Sequence, residues 1–426
     1  MQAKYLMLLP IRIIKLLEKI RNSINFEQVS FYSLLLFALT LPLSKAAISF
    51  FIFWFIALVL FKKNYSKSFA KISGFPIFIY IGIFVLYISL TFFWSEDIHA
   101  ATRQVRMYGY WIIIPSIVVL AKREWAPKML NAFLFGMFLS EILAYGMFFE
   151  LWSINGRGPD YPSPFMTHIH YSVFLAFTAI VLFHRIISRN YTLARKLPFL
   201  FFFIASTTNL MFSIGRTGQL AFFVALLTAI FLRFKLSLKS LFSGIMLVLF
   251  LIFVSYNGLN IFKIRIDTAL SDIKKMQQGN FNTSFGTRAT FWVIASDIVK
   301  KEPLLGVGVG DYMLATKSTM EAEKYKNSTD EEKKRLSGTH FHNQYLMIVV
   351  QAGIIGLVLM FILIYKFFSL KIDNPELKDI SVLGFVVIFV SSITEPLWLL
   401  QFPLTLFLFI VSLSIIASKK AYSTGN

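Results

Sequence analysis

The chain has 426 residues, of which 57% are hydrophobic, with no cysteine and a formal net charge of +20. Such apolarity excludes an ordinary soluble globule, and the lack of cysteine excludes a disulfide framework or a thiolate metal site. The positive charge does not imply a nucleic-acid partner. Its lysines and arginines sit mainly in short connections that alternate along the chain, the pattern that orients membrane helices, so membrane lipid is the expected surrounding.

From the N-terminus, Met1 to Arg21 reads as a basic amphipathic segment, with Ile11, Ile13, Ile14, Leu17 and Ile20 opposed to Lys15, Lys19 and Arg21. It has no small-residue cleavage site and is expected to lie along the inner membrane surface. Apolar runs then predict about twelve spans: 30–44, 45–61, 75–94, 107–121, 129–151, 168–184, 197–212, 217–232, 240–256, 343–365, 379–394 and 400–417. Nothing alternates as a barrel strand would. The fold class is therefore an all-α polytopic membrane protein, divided into 1–256 (spans one to nine), a polar loop 257–342, and 343–426 (the last three spans).

One set of connections carries Lys62, Lys63, Lys67, Lys71, Lys122, Arg123, Lys128, Arg185, Arg189, Arg195, Lys196, Arg233, Lys235, Lys239, Lys366, Lys371 and Lys378. The opposite short connections hold only Lys45, Arg103, Arg106, Arg157 and Arg216. The positive-inside rule makes the first side cytoplasmic, puts both termini there, and leaves 257–342 external.

In chain order, Trp94-Ser95-Glu96-Asp97 offers paired acids after the third span, read as a polar helix end in preference to a divalent-ion site. Arg157 and Asp160 precede His168 and His170, which could line an outer cavity. Arg216 lies in Ser213-Ile214-Gly215-Arg216-Thr217-Gly218, where charge is costly, glycine lets backbone come close, and a guanidinium can fork two phosphate oxygens. Inside the long loop, 262–277 and 288–300 have helical periodicity, with Thr287 as N-cap of the second, and 318–337 reads as solvated or mobile. Arg288 would then stand in a first helical turn, where free N–H groups already attract anions. His342, with Asn343 beside it, opens the next span. The positive helix end there disfavours imidazolium, leaving a neutral ring able to accept a proton. His340 makes an H-x-H pair, but no cysteine or matched carboxylate accompanies it, so no metal is expected. Glu395-Pro396 in the last external turn gives the weakest signal.

Together these residues resemble the O-antigen ligase and polymerase superfamily of bacterial envelope proteins. The resemblance runs through Arg288-x-x-x-Trp292, Glu302-Pro303-Leu304-Leu305-Gly306-Val307-Gly308, and His342-Asn343 followed by Gly353-Ile354-Ile355-Gly356-Leu357, where Leu357 departs from the usual pattern. It also takes in Trp94-Ser95-x-Asp97 and the Arg216 turn. It implies transfer of a glycan from undecaprenyl pyrophosphate to an acceptor at the outer face of a Gram-negative inner membrane, without a cofactor. A single large external loop is similar to the ligases, whose acceptor is lipid A-core. Polymerases and protein O-oligosaccharyltransferases are the alternatives. The implied roles are His342 as catalytic base and Arg216 and Arg288 on the pyrophosphate. His340, Asn343, His170 and Arg157 are secondary candidates. A competing transporter of anionic lipid would need broken helices near the bilayer midplane or internal symmetry, and neither is evident in the sequence.

Overall fold

A computed structural model describes residues 25–62, 70, 72–326 and 328–419. The amphipathic segment expected over 1–21, and Lys63, Lys67, Lys71 and Lys420, lie outside the described residues. Among those described the structure is helical, with two isolated β-bridges and no strand. Six helices are long and apolar enough to cross a membrane: Ile77–Trp94, Arg123–Phe148, His168–Ile187, Arg216–Phe234, Leu238–Gly258 and Gln344–Phe368. Phe26–Thr40, Lys45–Phe61 and Gln401–Ala417 are apolar but shorter than the roughly 20 residues a perpendicular span needs. Twelve crossings were expected; six helices meet both criteria.

The segment expected as one span over 107–121 is divided. Ile98–Gly109 is an amphipathic helix, Tyr110–Ile112 tightens to a 3-10 turn, and Ile113–Leu120 resumes. Pro115 supplies no amide N–H to the preceding turn, which accounts for the interruption.

His168–Ile187 runs through the centre and packs against Leu193–Phe212, Arg216–Phe234 and Pro375–Ser391. Small residues let these backbones touch, as packing inside a bilayer requires. A Cβ on Gly218 would lie 2.1 Å from the Ser172 carbonyl oxygen, and one on Gly215 would lie 2.4 Å from its Oγ. The glycines flanking Arg216 therefore admit a neighbouring helix and not, as expected, a ligand. Gln401–Ala417 is buried along nearly its whole length.

The 257–342 loop is built of helices Asn260–Gln277, Ser284–Lys301, Tyr312–Thr319 and Asp330–Ser337. Its own small core joins Phe291, Ile294, Tyr312, Tyr325, Leu336 and Phe341 to Leu346 and Met347 of the following span. The stretch 318–337, expected to be solvated or mobile, is thus anchored. Thr329 and Glu332 form a reciprocal capping box, and Lys324 and Tyr325 both hydrogen-bond Asp297.

The glycine-rich turn explains itself through the next span. Gly353 interrupts Gln344–Phe368 with φ +64°, ψ −168°. The turn after Pro303 fills the break: Val307 and Gly308 donate backbone N–H to the Val350 and Gln351 carbonyls (2.9 and 3.0 Å). In return Ile354 and Ile355 donate to the Pro303 and Leu304 carbonyls (2.9 and 3.4 Å). Tyr87 Oη satisfies the Ala352 carbonyl at 2.9 Å. A Cβ on Gly353 would stand 2.0 Å from the Leu304 oxygen, and Gly306, at φ +70°, meets the same break from the other side. A broken helix was the mark of the transporter alternative. Here the freed carbonyls are taken by protein donors, so the break offers no ion site.

Candidate active site

Three turns converge beside the start of Gln344–Phe368. Asn343 caps that helix, its Oδ1 accepting the Tyr345 and Leu346 N–H groups at 2.8 and 3.0 Å. Its Nδ2 donates to the Ile393 carbonyl at 2.9 Å. Gln344 N–H reaches the Ser392 carbonyl (2.8 Å), and Gln344 Oε1 accepts from Trp398 N–H (2.9 Å). These bonds clamp the 391–399 turn against the helix start and carry Glu395 under His342. Thr394 Oγ1 donates to Thr217 Oγ1 at 2.8 Å, which joins the Arg216 turn to the same place.

His342 is held in the left-handed region at φ +48°, uncommon for a residue with a Cβ and frequent where structure is arranged for function. Its Nδ1 lies 3.1 Å from Glu395 Oε2, and His340 Nε2 lies 3.5 Å from Glu395 Oε1. The two imidazole centroids are 4.5 Å apart. The His342 N–H points to His340 Nδ1 at 3.3 Å. Glu395 is 3% exposed. Burial alone would raise its pKa, but the hydrogen bond from His342 and the charges of His340, His342 and His170 hold it below the usual carboxylate value. Burial lowers the His340 pKa, against the opposing pull of Glu395. In the tautomer that carries its proton on Nδ1, towards Glu395, the His342 ring has its free lone pair on Nε2.

The arginines form the other wall. A cavity of about 370 Å³ is lined by Arg216, Arg265 and Arg288 and, among apolar residues, by Leu220, Phe223 and Phe262. Arg216 Nη1 and Arg288 Nε are buried without a hydrogen-bond partner, and among the described residues none of the three arginines has a carboxylate within ion-pair distance. Burial lowers the Arg288 pKa, with Glu395 and Asp272 opposing it. The arginines are half-buried, and a guanidinium nitrogen buried without a partner is costly unless an anion completes it.

Arg288 is not in a first helical turn as expected. Thr283, not Thr287, caps the helix Ser284–Lys301, and Arg288 Nη1 folds back to Ser284 Oγ at 2.8 Å. The helix-end attraction for an anion therefore does not apply. Phe291, one turn on, packs against His342 with ring centroids 6.1 Å apart, so this helix still brings Arg288 towards the histidine pair. Residues 200–361, which contain Arg216, Arg288 and His342, match the O-antigen ligase family model.

Over that stretch the chain is similar to the O-antigen ligase family. The matched region is under half of the chain. An uncharacterized protein of Haemophilus influenzae is 29% identical over 128 residues, covering 29% of this chain and 31% of the relative. Within the superfamily motifs, much proves to be scaffold. Asp97 caps Ile98–Gly109 by accepting Ala100 N–H at 2.8 Å. Ser95 Oγ accepts Gly310 N–H at 3.1 Å, and the Asp311 carboxylate accepts the Glu96 and Asp97 N–H groups at 2.6 and 2.8 Å. Trp94-Ser95-Glu96-Asp97 is thus a helix end docked onto the glycine-rich turn.

Of the secondary candidates, Arg157 is occupied with the carbonyls of Ser163 and Met166, and so organises its own loop. Asn343 is a cap, as above. His170 is buried and acts on Glu395 electrostatically. Arg265 and Glu395 are the residues that sequence reasoning under-weighted. Arg265 sits one residue from apolar Ile264 and Ile266 on an amphipathic helix, with no local signal to set it apart.

Proposed function

We propose that this protein is a metal-independent, inverting glycosyltransferase that moves an O-antigen glycan from undecaprenyl pyrophosphate to a sugar hydroxyl of lipid A-core, at the periplasmic face of the inner membrane. The observation that carries this reading is a carboxylate-oriented histidine beside a cavity lined by three arginines that, among the described residues, form no ion pair; Thr394, next to Glu395 in the chain, lines that cavity. Arg216, Arg265 and Arg288 clamp the pyrophosphate, and the apolar residues of the cavity receive the first isoprene units of the carrier. The acceptor hydroxyl oxygen attacks the anomeric carbon while the bond from that carbon to the pyrophosphate oxygen breaks. The electron pair leaves with undecaprenyl pyrophosphate, whose growing charge the arginines neutralise. The hydroxyl proton passes to His342 Nε2 and later to water, while Glu395 holds Nδ1–H and stabilises the imidazolium. Residues 257–342 stand outside the membrane and both termini inside.

Deletion of the gene in the parent bacterium, followed by lipopolysaccharide gel analysis, tests the acceptor. Intact core without any capped chains supports the ligase. A single repeat on core points to a polymerase, and normal lipopolysaccharide with unglycosylated proteins points to a protein-directed transferase.

A further inference from the structure

The His340, His342 and Glu395 side chains each turn a ligand atom to one point, and these atoms all lie within 4.8 Å of one another. The carboxylate missing from the neighbourhood of the H-x-H pair arrives from 53 residues further along the chain. Donor atoms around a tetrahedral zinc, at bond lengths near 2.0–2.1 Å, stand about 3.3 Å apart. His342 Nδ1 to Glu395 Oε2 is 3.1 Å and His340 Nε2 to Glu395 Oε1 is 3.5 Å, each near that spacing on its own carboxylate oxygen, and with every ligand atom within 4.8 Å of the others, side-chain rotations are all that an ion between them requires. The side chains are 28%, 23% and 4% exposed in the order His342, His340, Glu395, which leaves an entry path and a fourth position open to water.

We infer that these three residues bind one zinc-like dication, and that the bound ion switches the transferase off. Two imidazoles and one carboxylate form a donor set suited to zinc and its neighbours. Magnesium and calcium prefer all-oxygen cages. The rearrangement is confined to the three side chains: the His342 Nδ1 bond to Glu395 is replaced by bonds to the ion, the ring proton of His340 moves from Nε2 to Nδ1, and the 3.3 Å hydrogen bond from the His342 N–H is given up. Inhibition follows from the chemistry of one ring. When His342 Nδ1 donates its lone pair to a metal, the ring proton resides on Nε2, and the atom that should accept the acceptor's proton becomes a donor. Glu395 is drawn onto the ion at the same time and no longer orients the base. The inhibitory half of the inference rests on the proposed role of His342, whereas the binding half rests on geometry alone.

The test uses full-length protein purified in detergent and stripped of metal with a chelator. Zinc is titrated by calorimetry, and cobalt by the visible absorption it gains in a tetrahedral site. One ion per chain is expected in the wild type. His340→Ala and Glu395→Gln should each weaken binding at least about ten-fold, and His99→Ala, at an exposed histidine elsewhere, should leave it unchanged. No binding by the wild type, or binding indifferent to both substitutions, overturns the site. Transfer should fall as zinc saturates the site, ignore magnesium, and return when excess chelator is added. An ion bound at saturation with undiminished transfer overturns the inhibition. Normal transfer by His342→Ala in metal-free buffer would instead refute the base assignment, and the titrations would still stand.

Discussion

Replacing Glu395 by Gln removes one charge at constant shape, and its effect can be sized from the site. In the wild type, the carboxylate faces Nδ1 of His342 at 3.1 Å and is almost fully buried. During the step, the imidazole becomes imidazolium beside that carboxylate. Two unit charges about 4 Å apart attract by about 4 kcal/mol at an effective dielectric near 20. His342 is itself 28% exposed, so solvent screening brings this to about 2–4 kcal/mol, or roughly 30- to 10³-fold in rate. A second effect adds to the first. Glutamine can turn its NH₂ towards Nδ1, which stabilises the tautomer with the proton on Nε2 and leaves no lone pair facing the acceptor. The measurement is single-turnover transfer with lipid-linked glycan and purified acceptor, alongside donor affinity. Turnover should fall within that range or below it, while donor binding changes less than about threefold, because the arginines remain. A Glu395→Gln enzyme that turns over within threefold of the wild type would refute the orienting role and with it the assignment of His342 Nε2 as the base.

The other predictions concern the clamp, the scaffold and the orientation. Arg216→Lys and Arg288→Lys keep the charge but lose the two-pronged geometry, so donor affinity should fall by at least about ten-fold in each, as read by binding of labelled lipid pyrophosphate. Arg265→Lys should do the same if that residue shares the load. Gly353→Ala puts a methyl group 2.0 Å from the Leu304 carbonyl oxygen and strains a positive φ; it should lower the melting temperature in detergent, and an unchanged value would contradict the tight fit. Asp97→Asn should cost no more than about 1 kcal/mol of stability, as an N-cap exchange does, with transfer still insensitive to chelators; a strict requirement for magnesium or manganese would move the chemistry to a metal-dependent kind. A reporter fused near Ser328 should be active outside the membrane, and fusions near Tyr191 and Lys371 inside.

Much of this was legible in the sequence because apolar run length is a direct consequence of bilayer thickness. The expected segments coincide with helices to within a few residues at most positions; the exception is 107–121, where Pro115 and a 3-10 turn intervene. Arg216 stood out as a charge in a costly place, His342 as a ring at the mouth of a helix, and Arg288 through a first-turn position that the structure does not give it. Glu395 did not, although its carboxylate faces both histidines. A glutamate in a turn before proline looks like any polar connection. Its role appears only when the Asn343 and Gln344 side chains tie residues 391–399 to the other helix start. The cap at Thr283 was missed for a related reason: Thr283 and Thr287 are both good caps, and local propensity cannot choose between them. The charged run 318–337 looked mobile because its composition is polar, but Met320, Tyr325 and Leu336 fasten it to the loop's own core.

The insertion of the Pro303–Gly310 turn into the break at Gly353 has a consequence for protein engineering. An exchange of external loops between family members, made to transplant acceptor preference, has an obvious cut point at the membrane boundary near His342. Such a graft would separate two halves of one interlocked joint. The donor strand of the joint would come from one parent and the notched helix from the other, and any mismatch of side-chain size at their seam would be unrelieved. Cutting at residues 302 and 357 instead would transfer both halves of the joint, together with the histidine pair and the helix cap. The segment that can be exchanged with its joint intact is therefore the last part of the loop with fourteen residues of its membrane helix attached, roughly four turns.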